Sequence, residues 1–245
     1  MRQMKKSKFK DIRLFEIKPE NYTGNFDGIF GNVYSRTIDS KNIGYRIAKK
    51  LDNFDFYFDE FDHIFIFLNP KLKEDDFLET KIYDVKWNKD FYYGLDFKIF
   101  NQLSENDRDL KLQEIIFKIL TKISENDVSK LEIVKKIEQI IDNEKINTEL
   151  FLTEKSFKNF TVKITFKINP NHQKSIIIFL ILSKENKELC CETFEVFHYE
   201  DVFYLVDKIK IEKSKIIIEP KKNEKSQFVT EKYNLPIIID NCDFC

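Results

Sequence analysis

The spacing of apolar residues changes near residues 143–156, and this change constrains the fold more than any other feature. Before it, apolar side chains recur every three or four positions, which is typical of amphipathic helices. After it, Phe160, Val162 and Ile164 alternate with polar residues, as in strands that have one buried and one solvent-exposed face. The chain therefore combines a helix-containing first part with a strand-rich second part.

Two helix-start signals precede the change. Ser104-Glu-Asn-Asp107 and Ser124-Glu-Asn-Asp127 each place an acidic residue three positions after a serine, a pattern that caps helix N-termini. An apolar stripe follows each signal, so we expect a helical hairpin over residues 104–143. The two stripes consist of Leu112, Ile115, Ile116, Ile119, Leu120 and Ile123, and of Leu131, Val134, Ile137 and Ile141.

Apolar runs bounded by turn residues predict strands in both parts. Asp39 or Ser40 is expected to cap a short helix that buries Ile43, Ile47 and Leu51. Short connections in the second part favour an antiparallel meander, in which the strand at 176–182 is buried on both faces. The expected strands are 9–17, 29–38, 61–70, 77–87, 91–100, 160–168, 176–182, 190–197, 208–211, 215–219 and 227–239.

These patterns predict an α+β fold class. Residues 1–150 are expected to form an α+β subdomain, with a mixed or antiparallel sheet and the helical hairpin. Residues 151–245 are expected to form a β-rich, mostly antiparallel subdomain. The short connections of that second subdomain fit an antiparallel meander better than a parallel sheet.

The composition argues against several classes of function. The five glycines all lie between Gly24 and Gly94, and no glycine-rich phosphate-binding motif occurs, so we expect no nucleotide cofactor. Lysine far exceeds arginine and the net charge is −1, which disfavours a nucleic-acid reader. The longest apolar run, at 176–182, is far shorter than the roughly 20 residues that span a bilayer. No apolar stretch follows the basic start, so we expect a cytoplasmic protein without membrane contact.

Residues 51–110 carry fifteen acidic and seven basic side chains, and the stretch 51–62 interleaves acids with aromatic rings. One interpretation is a strand edge whose charges discourage aggregation. The other is an interface in which aromatic anchors ringed by carboxylates meet a partner rich in lysine and arginine. The candidate partner-binding residues are Asp52, Asp55, Tyr57, Asp59, Glu60, Asp62, Glu74, Asp75 and Asp76.

A metal-dependent nuclease is the alternative. Glu79-Thr-Lys81 lies on an expected strand downstream of Asp59 and Asp62, and two carboxylates with a lysine can hold a divalent cation and polarise a phosphate. Three other Glu-x-Lys triplets occur in this lysine-rich chain, so the motif has little specificity. The hypothesis requires Asp62, Glu79 and Lys81 to converge.

Cysteine and histidine offer no assembled site in the sequence. Cys242 and Cys245 have the spacing of a zinc pair, but Cys190 and Cys191 are adjacent on a strand and point to opposite faces. We therefore expect separate thiols rather than a metal site. The histidines His63, His172 and His198 are far apart in the sequence and suggest no catalytic arrangement.

Three segments in the middle of the chain form a recognisable pattern: Phe61-Asp-His-Ile-Phe-Ile-Phe-Leu-Asn-Pro70, Lys86-Trp-Asn-Lys89 and Gly94-Leu-Asp-Phe-Lys-Ile-Phe-Asn-Gln-Leu-Ser104. With these segments, about residues 54–123 resemble small bacterial immunity proteins, the cytoplasmic antidotes of polymorphic or contact-delivered toxins. The resemblance implies a non-enzymatic inhibitor that occludes a basic toxin, for example a nuclease, and it supplies no catalytic residues. A regulatory or structural subunit of a bacterial defence assembly is a second alternative.

Overall fold

The computed structural model describes residues 8–17, 40–82, 87–170, 173–212 and 215–240. The chain divides into two compact units, residues 1–145 and 146–245. The expected α+β class is confirmed, because the first unit combines helices with a mixed sheet and the second is mostly antiparallel β-structure. The expected strand at 29–38 lies outside the described residues.

The first unit contains a four-stranded sheet with the order β1-β2-β4-β3. Strands β1 (Asp11–Glu16), β2 (His63–Asn69) and β4 (Asn88–Gly94) are parallel, and β3 (Phe77–Thr80) is antiparallel to β4. Parallel neighbours need long connections, and helix α1 (Ser40–Asn53) lies in the connection from β1 to β2. All β2 residues between the two ends of the strand are buried, as expected for a central strand.

Three long helices share a hydrophobic core with one face of this sheet: α1, α3 (Glu105–Ser124) and α4 (Val128–Glu144). The expected apolar stripes are the buried sides of these helices. Ser104 caps α3 as predicted, since its hydroxyl accepts the N–H of Asp107. The second predicted cap is wrong, because Ser124 is buried in the last turn of α3 and Asp127 caps α4 instead.

The expected strand at 91–100 is only partly correct. Strand β4 ends at Gly94, and helix α2 (Phe97–Gln102) follows it. The carboxylate of Asp96 accepts the N–H groups of Lys98 and Ile99 at 2.8 and 3.2 Å, and this cap turns the chain into a helix. The strand expected at 77–87 is also shorter, since β3 ends at Thr80.

The second unit begins with a four-stranded antiparallel meander, as the short connections predicted. Its strands are β5 (Leu150–Ser156), β6 (Phe160–Lys167), β7 (Ser175–Ser183) and β8 (Glu188–Val196). The alternating apolar residues of β6 are buried, as expected. Strand β7 meets the expectation only in part, because Ile177, Phe179 and Ile181 are buried on one face, whereas on the other face Ile178 is buried but Ile176 and Leu180 are half-buried.

A second antiparallel sheet follows, with β10 (Lys215–Glu219) between β9 (Lys208–Glu212) and β11 (Ile237–Ile239). A short helix, α5 (Val202–Leu205), precedes it. The long strand expected at 227–239 is mostly wrong, because helix α6 (Glu224–Thr230) occupies its beginning. Asn223 and Ser226 form a reciprocal capping box that starts this helix.

Candidate functional site

The predicted partner-binding residues fall into two groups at opposite ends of the sheet in the first unit. Asp59, Glu60 and Asp62 precede the first residue of β2, so they lie at the amino edge of the parallel strands. Residues 74–76 lie at the carboxyl edge, where Asp75 and Asp76 exchange backbone hydrogen bonds with Gly94 at the end of β4. A seven-residue strand separates these edges by about 20 Å, so the nine residues do not form one continuous surface.

The phenylalanines of the acidic stretch do not face outward, contrary to the expectation. Phe56, Phe58 and Phe61 are 1%, 7% and 8% exposed and belong to the hydrophobic core. The ring of Phe58 is 4.4 Å from that of Phe61 and 5.0 Å from that of Phe56, centroid to centroid. These rings fix the backbone of the stretch, so its exposed carboxylates are attached to a rigid support.

Asp62 is a buried structural carboxylate rather than a docking residue. Its Oδ2 lies 2.5 Å from the Nζ of Lys10, and its Oδ1 lies 2.5 Å from the Nδ1 of His63. Burial alone would raise the pKa of Asp62, but the hydrogen bonds from Lys10 and His63 hold it below the ordinary value. The charge of Asp62 is thus satisfied within the unit.

Trp87 lies beside Asp62 and is 46% exposed. Its carbonyl accepts the N–H groups of Asp62 and His63 at 3.0 and 3.2 Å. Its ring centroid is 4.5 Å from the His63 ring and 5.8 Å from the Phe65 ring. The indole is therefore supported on one side by aromatic rings and open to solvent on the other.

A buried carboxylate holds the beginning of β4, which directly follows Trp87. Asp90 is 2% exposed, and it accepts the backbone N–H of Ile82 at 2.9 Å and a hydrogen bond from the side chain of Asn88. These bonds connect Ile82, two residues after the end of β3, to the beginning of β4. Trp87 immediately precedes β4, so its position is fixed before any partner binds.

Exposed carboxylates share the amino edge with Trp87. Asp59 and Glu60 are exposed, and neither makes an ion pair with any residue the structure describes. Asp55 is almost fully exposed and lies 3.9 Å from the Nζ of Lys8, at the outer limit of an ion pair. We call Asp55, Asp59, Glu60 and Trp87 the amino-edge surface.

Asp52 and Tyr57 contribute less to this surface. The Asp52 carboxylate lies 2.7 Å from the Nζ of Lys49 and 3.3 Å from that of Lys8, so its charge is balanced locally. Tyr57 is half-buried, and the ammonium of Lys130 lies 5.6 Å from its ring centroid. Both residues lie at this edge but are already engaged within the unit.

The carboxyl-edge group is largely neutralised. Asp75 accepts the hydroxyl of Tyr93 at 2.6 Å and lies 3.0 Å from the Nζ of Lys118 and 3.1 Å from that of Lys111. These hydrogen bonds hold the pKa of Asp75 well below its usual range. Glu74 lies 3.9 Å from the Nζ of Lys111, and of these three acids only Asp76 is exposed without an ion pair to a described residue.

The residues of the nuclease hypothesis do not converge. Glu79 lies on β3 opposite Phe91 and pairs with Lys89 at 3.0 Å, whereas Asp62 precedes β2 on the far side of β4. Two strand spacings across the sheet and four residues along it separate Asp62 from Glu79 by roughly 16 Å. Ligands of one divalent cation lie within about 2.6 Å of it, which this separation precludes.

The cysteines and histidines form no cluster in the described part of the chain, where no three metal-ligating side chains come together. Cys190 and Cys191 lie opposite Ile181 and Leu180 on adjacent positions of β8, so they point to opposite faces as predicted. Burial and nearby glutamates raise the pKa of both thiols. His198 is exposed after β8, whereas His172, Cys242 and Cys245 lie outside the described residues.

The chain matches no protein-family model, no curated protein and no solved structure. Within the ranges described, no helix is long and apolar enough to cross a membrane. Sequence reasoning missed the exposure of Trp87, which it treated only as part of a strand. Its charged flanks, Lys86 and Lys89, were the one available signal that the ring lies at a surface.

Proposed function

We propose that this chain is a non-enzymatic binding protein that docks a basic protein partner through its amino-edge surface. The observation that carries the proposal is an exposed indole at the same sheet edge as exposed carboxylates, of which Asp59 and Glu60 make no ion pair with any described residue. Tryptophan is among the residues that contribute most to binding when buried in an interface. Unpaired carboxylates around it favour lysine and arginine on the partner and speed their encounter.

The resemblance to immunity proteins suggests what the partner is. A toxin that cleaves nucleic acid has a basic active site, and an acidic surface with an aromatic anchor complements such a site in charge. The proposed mechanism is stoichiometric occlusion of a bacterial toxin domain in the cytoplasm, without cofactor, nucleic acid or membrane. The buried phenylalanines support this surface and do not touch the partner.

The two alternatives have less support. The nuclease hypothesis lacks a shared position for Asp62 and Glu79, and Lys81 follows β3 on the same distant side of the sheet as Glu79. A subunit of a bacterial defence assembly would use the same amino-edge surface, so only the identity of the captured partner separates it from an immunity protein.

Affinity capture with matched variants tests the proposal. We expect the full chain to retain a basic partner from a lysate of its source organism, and the complex to weaken as salt is raised because exposed charges are screened. We expect the partner to be lost from the triple variant Asp55→Asn, Asp59→Asn, Glu60→Gln, and also from the single variant Trp87→Ala. The control is the double variant Glu74→Gln, Asp76→Asn at the carboxyl edge, which should retain the partner. Retention of the partner by the amino-edge variants would contradict the proposal.

A further inference from the structure

Strand β8 is an open edge of the meander in the second unit. Among the described residues it pairs with β7 alone, and the strand order ends with it. Most of its nine side chains are exposed or half-buried, and only Val196 at its end is buried. The outward backbone groups of such a strand are a template for a further strand.

The sequence of β8 suits pairing with another chain. Edge strands are often protected from pairing by charged side chains, above all lysine, or by proline; Glu-Leu-Cys-Cys-Glu-Thr-Phe-Glu-Val has no lysine or proline, and its glutamates repel acidic chains but attract basic ones. The one irregularity lies near the beginning of the strand, where the register with β7 shifts between Ile181 and Leu182. The rest of the edge, Cys190–Val196, keeps a regular register.

All the charges on this edge are carboxylates. Glu195 pairs with the Nζ of Lys174 at 2.7 Å, whereas Glu188 and Glu192 are exposed and have no ion pair with any described residue. The register places Glu192 opposite Phe179 and Glu195 opposite Ile176, so the two carboxylates point to opposite faces of the sheet. A strand added here would meet negative charge on both faces.

Partly exposed aromatic rings lie at the Val196 end of the strand. Phe197 is 48% exposed, and the Tyr233 ring centroid is 5.5 Å from that of Phe197 and 5.9 Å from that of Phe194. The Tyr233 hydroxyl accepts the N–H of Phe197 at 2.8 Å and donates to Asp201 at 2.5 Å. This aromatic group is therefore held in place and offers apolar contact to a chain lying along β8.

We propose that the β8 edge binds an extended, basic segment of a partner protein by strand addition. Backbone hydrogen bonds would supply the pairing, lysine or arginine side chains would meet Glu188 and Glu192, and an apolar side chain would contact the aromatic group. A second copy of this chain is the less favoured occupant, because it would bring the same three carboxylates to the edge. The proposal is independent of the amino-edge surface, which lies in the other unit.

A defined peptide tests this proposal on the full chain. The probe is an acetylated, amidated nonapeptide, Thr-Lys-Val-Lys-Thr-Val-Lys-Val-Lys, whose lysines lie on both faces of an extended strand, and binding is followed by calorimetry and hydrogen exchange. We expect the peptide to protect backbone amides of residues 188–196 and no other segment. Glu188→Lys with Glu192→Lys should weaken binding by about tenfold or more, because two attractive contacts become repulsive.

Matched controls separate strand addition from general charge attraction. Glu154→Lys reverses one charge on β5, at the other edge of the same sheet, and should leave binding within about twofold of the unaltered chain, whereas the single variant Glu192→Lys should weaken it. A peptide with proline in place of each valine keeps the charge but loses backbone donors, and should not bind. Trp87→Ala should bind the valine peptide normally, which distinguishes this proposal from that of the amino-edge surface.

Four results would overturn the proposal. They are failure of the valine peptide to bind, equal binding of the proline peptide, protection confined to residues outside 188–196, and a concentration-dependent dimer that protects β8 without any peptide. The last result would assign the edge to a second copy of the chain.

Discussion

At the scale of single residues, some carboxylates of this protein are buried and hydrogen-bonded within the fold, whereas others are exposed to solvent. Asp62 is 5% exposed and hydrogen-bonded on both oxygens, whereas Asp59, three positions earlier, is exposed and unpaired among the described residues. The sequence could not separate these two aspartates, because the cation that satisfies Asp62 is Lys10, more than fifty positions away. Tertiary contacts, and not residue type, decide which acids are free to bind.

Asp62→Asn should destabilise the first unit by about 1–3 kcal/mol at pH 7, since it leaves Lys10 and His63 without their carboxylate. The pKa of Asp62 is lower in the folded state, so its contribution is complete above the unfolded value of about 3.9. That contribution is lost as pH falls through the folded value. Urea unfolding at several pH values measures the difference.

Asp59→Asn is the matched control and should change the unfolding free energy by less than about 0.5 kcal/mol. If the Asp62→Asn variant were as stable as the unaltered chain at pH 7, the structural role of Asp62 would be disproved.

At the scale of elements, the period of the apolar residues predicted the long helices, whereas capping side chains determine where the short helices begin. The apolar stripes of α3 and α4 span several turns, so their period is unambiguous. The segments of α2 and α6 are too short for a clear period, and Asp96 and Asn223 start helices where strands were expected. A single capping side chain outweighs the strand propensity of the residues that follow it.

Asn223→Ala should destabilise α6 by about 1 kcal/mol, because it removes the bond that the side chain accepts from the Ser226 N–H. Hydrogen exchange of the amides in residues 224–230 measures this locally. Gln227→Ala, within the same helix and away from the cap, is the control. Equal exchange rates in the two variants would show that the capping box does not hold this helix.

Gly44→Ala should destabilise the first unit by about 1–3 kcal/mol, as overpacking does. Helix α1 packs so closely on β1 that an added Cβ at Gly44 would lie 2.1 Å from the carbonyl oxygen of Ile12. Denaturant unfolding measures the effect, with Lys135→Ala on the exposed side of α4 as a neutral control. An unchanged midpoint for Gly44→Ala would contradict this close helix–strand contact.

At the scale of the whole molecule, strand topology distributes the acidic segment. The sequence shows the acids as one run, but strand β2 lies between residues 59–62 and 74–76 and places them at opposite edges of the sheet. The α+β class and the antiparallel second unit followed from local patterns, whereas the position of Trp87 beside Asp62 depends on which strands pair. Trp87 became a candidate anchor only through its position beside Asp62 at the amino edge.

Trp87 is the one tryptophan of the chain, so its fluorescence reports on the amino-edge surface without a label. The most direct measurement is the emission and acrylamide quenching of Trp87 before and after addition of the captured partner. We predict a shift of the emission to shorter wavelength and reduced quenching in the complex, because docking would bury the indole. An unchanged spectrum and unchanged quenching at saturating partner would show that the partner binds elsewhere and would contradict the proposed function.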